Sequence, residues 1–134
     1  MQNWASGAMA WTLGTDTNDG PHLSSGGCST CEGLVLINTS ASTYSLTLNY
    51  YSMAQFSRYI SNGATALDTS GSWDYGSGQK IEAQAFVNPD GSRVLVVENG
   101  FDNDVYLTTS FQSGDEWSGP LYAQSVTTWV LPGN

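Results

Sequence analysis

The sequence predicts a mainly β protein, with an antiparallel sandwich in its C-terminal half, preceded by a short buried strand, a strand pair and one helix. Three observations carry this. Beyond Gly63 short alternating apolar runs recur at regular spacing, separated by Gly- and Asp-rich turns, as in two-layer β folds. Between Asn49 and Ile60 the period changes to that of a helix. Before that, Gly7–Leu13 is a short run of small apolar residues around Trp11, with the length and flanks of a buried strand.

Taken in order, the elements have local reasons. Gly7–Leu13 reads as a buried parallel strand, which needs partners on both edges and cover on both faces. Almost nothing precedes it, so its neighbours are expected outside these residues. Asn18-Asp19-Gly20-Pro21 turns the chain, because Gly20 tolerates positive φ and Pro21 fixes its own. His22 to Cys31 is a loop by composition. Leu34–Ile37 and Tyr44–Leu48 read as two strands around a polar turn. In the helix, Tyr50, Met53, Ala54, Ser57 and Ile60 share a stripe widened by Phe56 and Tyr59. Asn49 is the expected N-cap, and Asn62-Gly63 the left-handed stop.

The rest is β. Ala64–Leu67 is a short strand, and residues 68–79 form a polar loop with Trp73 and Tyr75. Lys80–Val87 places Ile81, Ala83, Ala85 and Val87 on one face. Asn88-Pro89-Asp90-Gly91 turns into a strand over Ser92–Glu98. Gly100–Asn103 turns again into Val105–Phe111, and Leu121–Leu131 closes the set.

Composition excludes several classes. With 134 residues, 40% hydrophobic and 12% aromatic, the chain has enough apolar surface for a packed core. Twelve acidic against three basic residues give a net charge of −9, which repels nucleic acid and anionic lipid. No apolar run approaches the roughly 18 residues of a membrane span, and no signal-peptide pattern is visible.

The ordered motifs resemble the C-terminal end of glycoside hydrolase family 30, which includes glucocerebrosidases, fungal endo-β-1,6-glucanases and some xylanases. The pieces that match are Gly7-Ala8-Met9-Ala10-Trp11-Thr12-Leu13 through Asp16 and Gly20-Pro21, then Gly27-Cys28-Ser29-Thr30-Cys31 with Gly33-Leu34-Val35. The helix from Tyr50 to Ile60, the hairpin from Phe86 to Asn99 and the ending Ser125-Val126-Thr127-Thr128-Trp129 follow in the family's order. Thr12 departs from it, since members often carry Asn there.

The resemblance implies that residues 1–62 are the last strand, loop and helix of a (β/α)8 barrel, and residues 63–134 a C-terminal β-sandwich. It implies a retaining β-glycosidase acting on a β-glucan or a glucosyl conjugate. Such enzymes use two carboxylates about 5 Å apart. In the family both stand on earlier barrel strands, so this chain alone is expected to be inactive, its partner being the N-terminal barrel of the same enzyme. The rival reading is a free-standing sandwich that binds carbohydrate or another partner.

Among candidate site residues, Trp11 stands first. The resemblance places it at the end of a barrel strand beside the cleaved sugar, where its flat ring and indole N–H suit a pyranose. Asp16 on the following loop is a second substrate-binding candidate, against a role in the turn itself. Asp16 and Asp19, three residues apart in a turn, make a poor catalytic pair. Cys28 and Cys31 lack the helix of a redox C-x-x-C and the second ligand pair of a zinc site, and a local disulfide is expected. His22 has no triad partners. Asn38-Thr39-Ser40 is a glycosylation sequon, which with the disulfide suggests secretion. Trp73, Tyr75 and Trp117 are weighed as a sugar-stacking platform against a lid over the core. No metal and no cofactor are expected.

Overall fold

The computed structural model describes residues 5–71, 73, 74, 76 and 79–133, with Trp73 traced by its backbone. Its chain divides into two compact units, one ending at Ala54 and one running from Gln55 onward.

The first unit carries a three-stranded sheet. Strand β1 (Gly14–Asp16) pairs in parallel with β2 (Val35–Asn38), which pairs antiparallel with β3 (Thr43–Leu46). Here the prediction needs correcting. The strand lies not at Gly7–Leu13 but just after it, with ladder-type bonds from Leu34 N to Thr12 O and from Val35 N to Leu13 O. A strand exists only where a partner holds its backbone, and β2 reaches back no further than Thr12. Met9, Trp11 and Leu13 are accordingly 98%, 80% and 72% exposed.

Helix α1 (Leu48–Ser57) follows β3. Its cap is Thr47, not Asn49. The Thr47 hydroxyl accepts from Tyr50 N and its carbonyl from Tyr51 N, so Thr47 holds the half-helical position with its own side chain. The helix ends at Ser57, six residues before the expected stop; Gly63, with φ at 86°, belongs instead to the turn closed by Ala64 N donating to Ser61 O ahead of β4.

In the second unit, a five-stranded sheet runs β10–β7–β6–β4, with β5 (Trp73–Asp74) also on β6. Its other members are β4 (Thr65–Leu67), β6 (Lys80–Val87), β7 (Arg93–Asn99) and β10 (Ser125–Leu131), all antiparallel. A second sheet pairs β8 (Val105–Ser110) with β9 (Glu116–Leu121). Ile81, Ala85, Leu95 and Val97 from the large sheet meet Leu107 and Leu121 from the small one, which is the core of a two-layer sandwich. On the large sheet's other face, Phe86, Val94 and Val96 pack with Phe56, Tyr59 and Ile60. Strand β7 is thus buried on both faces, and its sequence Val-Leu-Val-Val is continuous rather than alternating.

Residues 116–120 were left outside the predicted strands, with Trp117 in a polar loop, and the predicted closing run Leu121–Leu131 divides into the end of β9 and β10. No helix among the described residues is long and apolar enough to cross a membrane.

Candidate functional site

The segment carrying the predicted site residues is built around Gly33. Its N–H donates to Thr15 Oγ1 at 3.0 Å, and its carbonyl accepts from Thr47 Oγ1 at 3.0 Å. Both threonines are buried. A Cβ on Gly33 would stand 2.8 Å from Thr15 N and 3.0 Å from Gly14 C, so only glycine lets β1 approach this closely. Neither threonine was singled out from the sequence. Both are β-branched residues, which composition alone does not distinguish from ordinary strand formers.

Beyond β1 the chain folds onto Asp16. Asp16 Oδ1 accepts from Asn18 N at 2.8 Å and Gly20 N at 2.9 Å, and Asp16 N donates to Gly20 O at 2.7 Å. The Gly20 and Asn18 amides, with a smaller contribution from His22, hold the carboxyl below its usual range. A Cβ on Gly20 would lie 3.0 Å from Asp16 Oδ2 and crowd the carboxylate, while the positive φ expected at Gly20 falls on Asp19, at 61°. The peptide joining Gly20 to Pro21 is cis. One carboxylate oxygen is therefore committed to the turn. Trp11 stands ahead of β1 rather than at its end, its ring open to solvent.

Cys28 and Cys31 form a disulfide within the loop that leads to Gly33. Asn38 closes β2, its Oδ1 accepting from Ala41 N in the turn before β3. His22 is exposed. Of the three aromatics considered for sugar stacking, Tyr75 and the Trp73 side chain lie outside the described residues. Trp117 shares the inward face of β9 with Leu121, and its indole Nε1 is buried without a hydrogen-bond partner. That is a packed position, not a platform. Among the described residues no three His, Cys, Asp or Glu side chains gather where a metal could be held.

Comparison with known proteins agrees with this architecture. Residues 63–129 match the glycosyl hydrolase family 30 beta sandwich domain. The chain is 57% identical to the endo-1,6-beta-D-glucanase neg1 of Aspergillus fumigatus over 132 residues, covering 98% of this chain and 27% of that protein. The endo-1,6-beta-D-glucanase of Neurospora crassa is 54% identical, with 98% and 28% covered. A solved endo-beta1,6-glucanase, BT3312, superposes with a TM-score of 0.82 at 32% identity, over 97% of this chain and 28% of that one. The chain thus spans about a quarter of the length of the relatives it matches. It belongs to glycoside hydrolase family 30.

Proposed function

We propose that this chain is the C-terminal portion of a secreted retaining β-glycosidase that hydrolyses β-1,6-linked glucan. Residues 1–62 complete a (β/α)8 barrel and residues 63–134 form its β-sandwich. The observation that carries this is the 57% identity, across 98% of the chain, to a fungal endo-1,6-β-glucanase. Catalysis in this reading falls to two carboxylates on earlier barrel strands, and Asp16 commits an oxygen to its own turn. In the assembled barrel the exposed Met9–Leu13 run gains strand neighbours, and Trp11 lies against the sugar beside the scissile bond. The short disulfide and the Asn38 sequon fit an oxidising, secretory route.

The test is a chimera that joins this chain to the upstream three-quarters of the Aspergillus fumigatus relative. We expect turnover of β-1,6-glucan by the chimera and none by the chain alone. Trp11→Ala in the chimera should lower kcat/KM by about 100-fold, the scale of losing substrate positioning. Hydrolysis by the isolated chain, or full activity of the Trp11→Ala chimera, would overturn the assignment.

A further inference from the structure

We infer that the sandwich carries its own saccharide-binding cleft. The cleft lies between the two sheets, has a volume of about 540 Å³, and is contained wholly within the second unit. That size falls in the range of small-molecule sites. Half-buried Leu67 and Ala83 give it an aliphatic wall, with Ala85 and Leu95 buried behind them in the core. Asp68, Ser70, Ser110 and Gln112 supply polar groups around it.

The chemistry of these groups selects the ligand. Elsewhere in this unit polar side chains are engaged within the fold, as Asn88 is, its Oδ1 accepting from Ser61 N and its Nδ2 donating to Tyr59 O and Ser92 Oγ. The side chains of Asp68, Ser70, Ser110 and Gln112 make no hydrogen bond to any described residue, so their donors and acceptors are available. Arg93 is the cation at the cleft, and it is engaged. Its Nη1 donates to Asp115 at 3.0 Å, its Nε and Nη2 to Pro132 O, and its guanidinium lies 4.5 Å from the Phe111 ring centroid. A phosphate, sulfate or carboxylate would therefore meet the unneutralised Asp68 and no free positive charge. A metal ion would find a single carboxylate, too few ligands for a hard cation. What fits is neutral, rich in hydroxyls and apolar on one side. A pyranose ring has that composition: its C–H face suits the aliphatic wall, and its hydroxyls suit an amide, two hydroxyls and a carboxylate.

Choosing β-1,6-linked glucose oligomers as the ligand rests on the function proposed above, and there the cleft would hold a second stretch of the polymer. Two weak sites on one chain raise the apparent affinity for a polymer through effective concentration, with no new contact at the catalytic centre.

The test is an amide NMR titration of the 134-residue chain with a β-1,6-linked glucose tetramer. Saturable shifts are expected at Ser70, Ser110 and Gln112. Gln112→Ala and Asp68→Ala should each raise Kd by about fivefold, the scale of one lost hydrogen bond. Both side chains are exposed, so neither change threatens the fold. Tyr106→Ala, on the outward face of β8, should leave Kd unchanged. The absence of saturable shifts would overturn the cleft, as would shifts confined to residues 11–20 or equal affinity in both cleft variants. None of those results bears on the chimera's hydrolysis, so the two readings fail separately.

Discussion

At the scale of single residues, the first unit depends on a close approach that only one residue type permits. Gly33 is held from both sides by Thr15 and Thr47 through its own backbone. The backbone of β1 sits where a Cβ would be. Because the obstacle is main chain rather than the end of a flexible side chain, it cannot move aside without breaking the β1–β2 pairing. Gly33→Ala should therefore cost about 2 kcal/mol or more, the range for overpacking. It should be read as a lower urea midpoint with faster amide exchange at Thr15 and Val35. An unchanged midpoint would mean that β1 is not held against Gly33 as described. Asn99 has the corresponding role in the sandwich. At 1% exposed, its Nδ2 donates to the carbonyls of Asn103, Leu121 and Tyr122, and its Oδ1 accepts from Phe101 N. A buried amide satisfied on both ends fixes where β7 stops and the turn begins.

At the scale of elements, legibility followed the packing environment. Lys80–Val87 and the hairpin at Asn88–Gly91 were legible because alternation and turn chemistry agree there. Strand β9 was not, and the residue that concealed it explains its packing. A Cβ on Gly119 would lie 3.1 Å from Trp129 Cζ2, so this glycine inside a strand makes room for the indole of β10. Tertiary contact overrode local propensity. Gly119→Ala should destabilise the sandwich by about 1 kcal/mol, since the ring can give way by a few tenths of an ångström. The near-UV signal of Trp129 should shift as well, and a more stable variant would refute the contact. The front strand was displaced for the opposite reason. Its apolar pattern predicted a buried strand, but a run of residues does not say which of them finds a partner, and only Gly14–Asp16 pairs as a strand. The Asp16 turn was legible from Asn-Asp-Gly-Pro, whereas the Thr15–Gly33–Thr47 cluster joins residues up to 32 apart with no shared motif.

At the scale of the whole molecule, acidity acts on stability in two opposed ways. A net charge of −9 at neutral pH repels itself, so mild acidification should stabilise the chain. Against this stand three carboxylates whose folded pKa values are lowered. Asp16 is held down by the Gly20 and Asn18 amides, Asp90 by the Ser92 hydroxyl and amide, and Asp115 by the Ser113 hydroxyl and then by Arg93. A carboxylate with a depressed folded pKa contributes stability that is fully present above its unfolded value of about 3.9 and disappears as pH falls through the lower folded value. Ordinary carboxylates take up protons first, from about pH 5 downward, and the three lowered ones after them. The urea midpoint should therefore stay nearly level from pH 8 to about 5, rise to a maximum near about pH 4 and fall below it. Salt separates the two effects. At 1 M ionic strength the Debye length shrinks to about 3 Å, which flattens that rise. The acid limb should persist, because Asp16 and Asp90 are held by neutral donors that salt does not screen. Asp115→Asn should lower the midpoint at pH 7 and leave it nearly unchanged at pH 2. A midpoint that keeps rising down to pH 3, or an acid limb abolished by salt, would show that the lowered carboxylates do not govern acid stability.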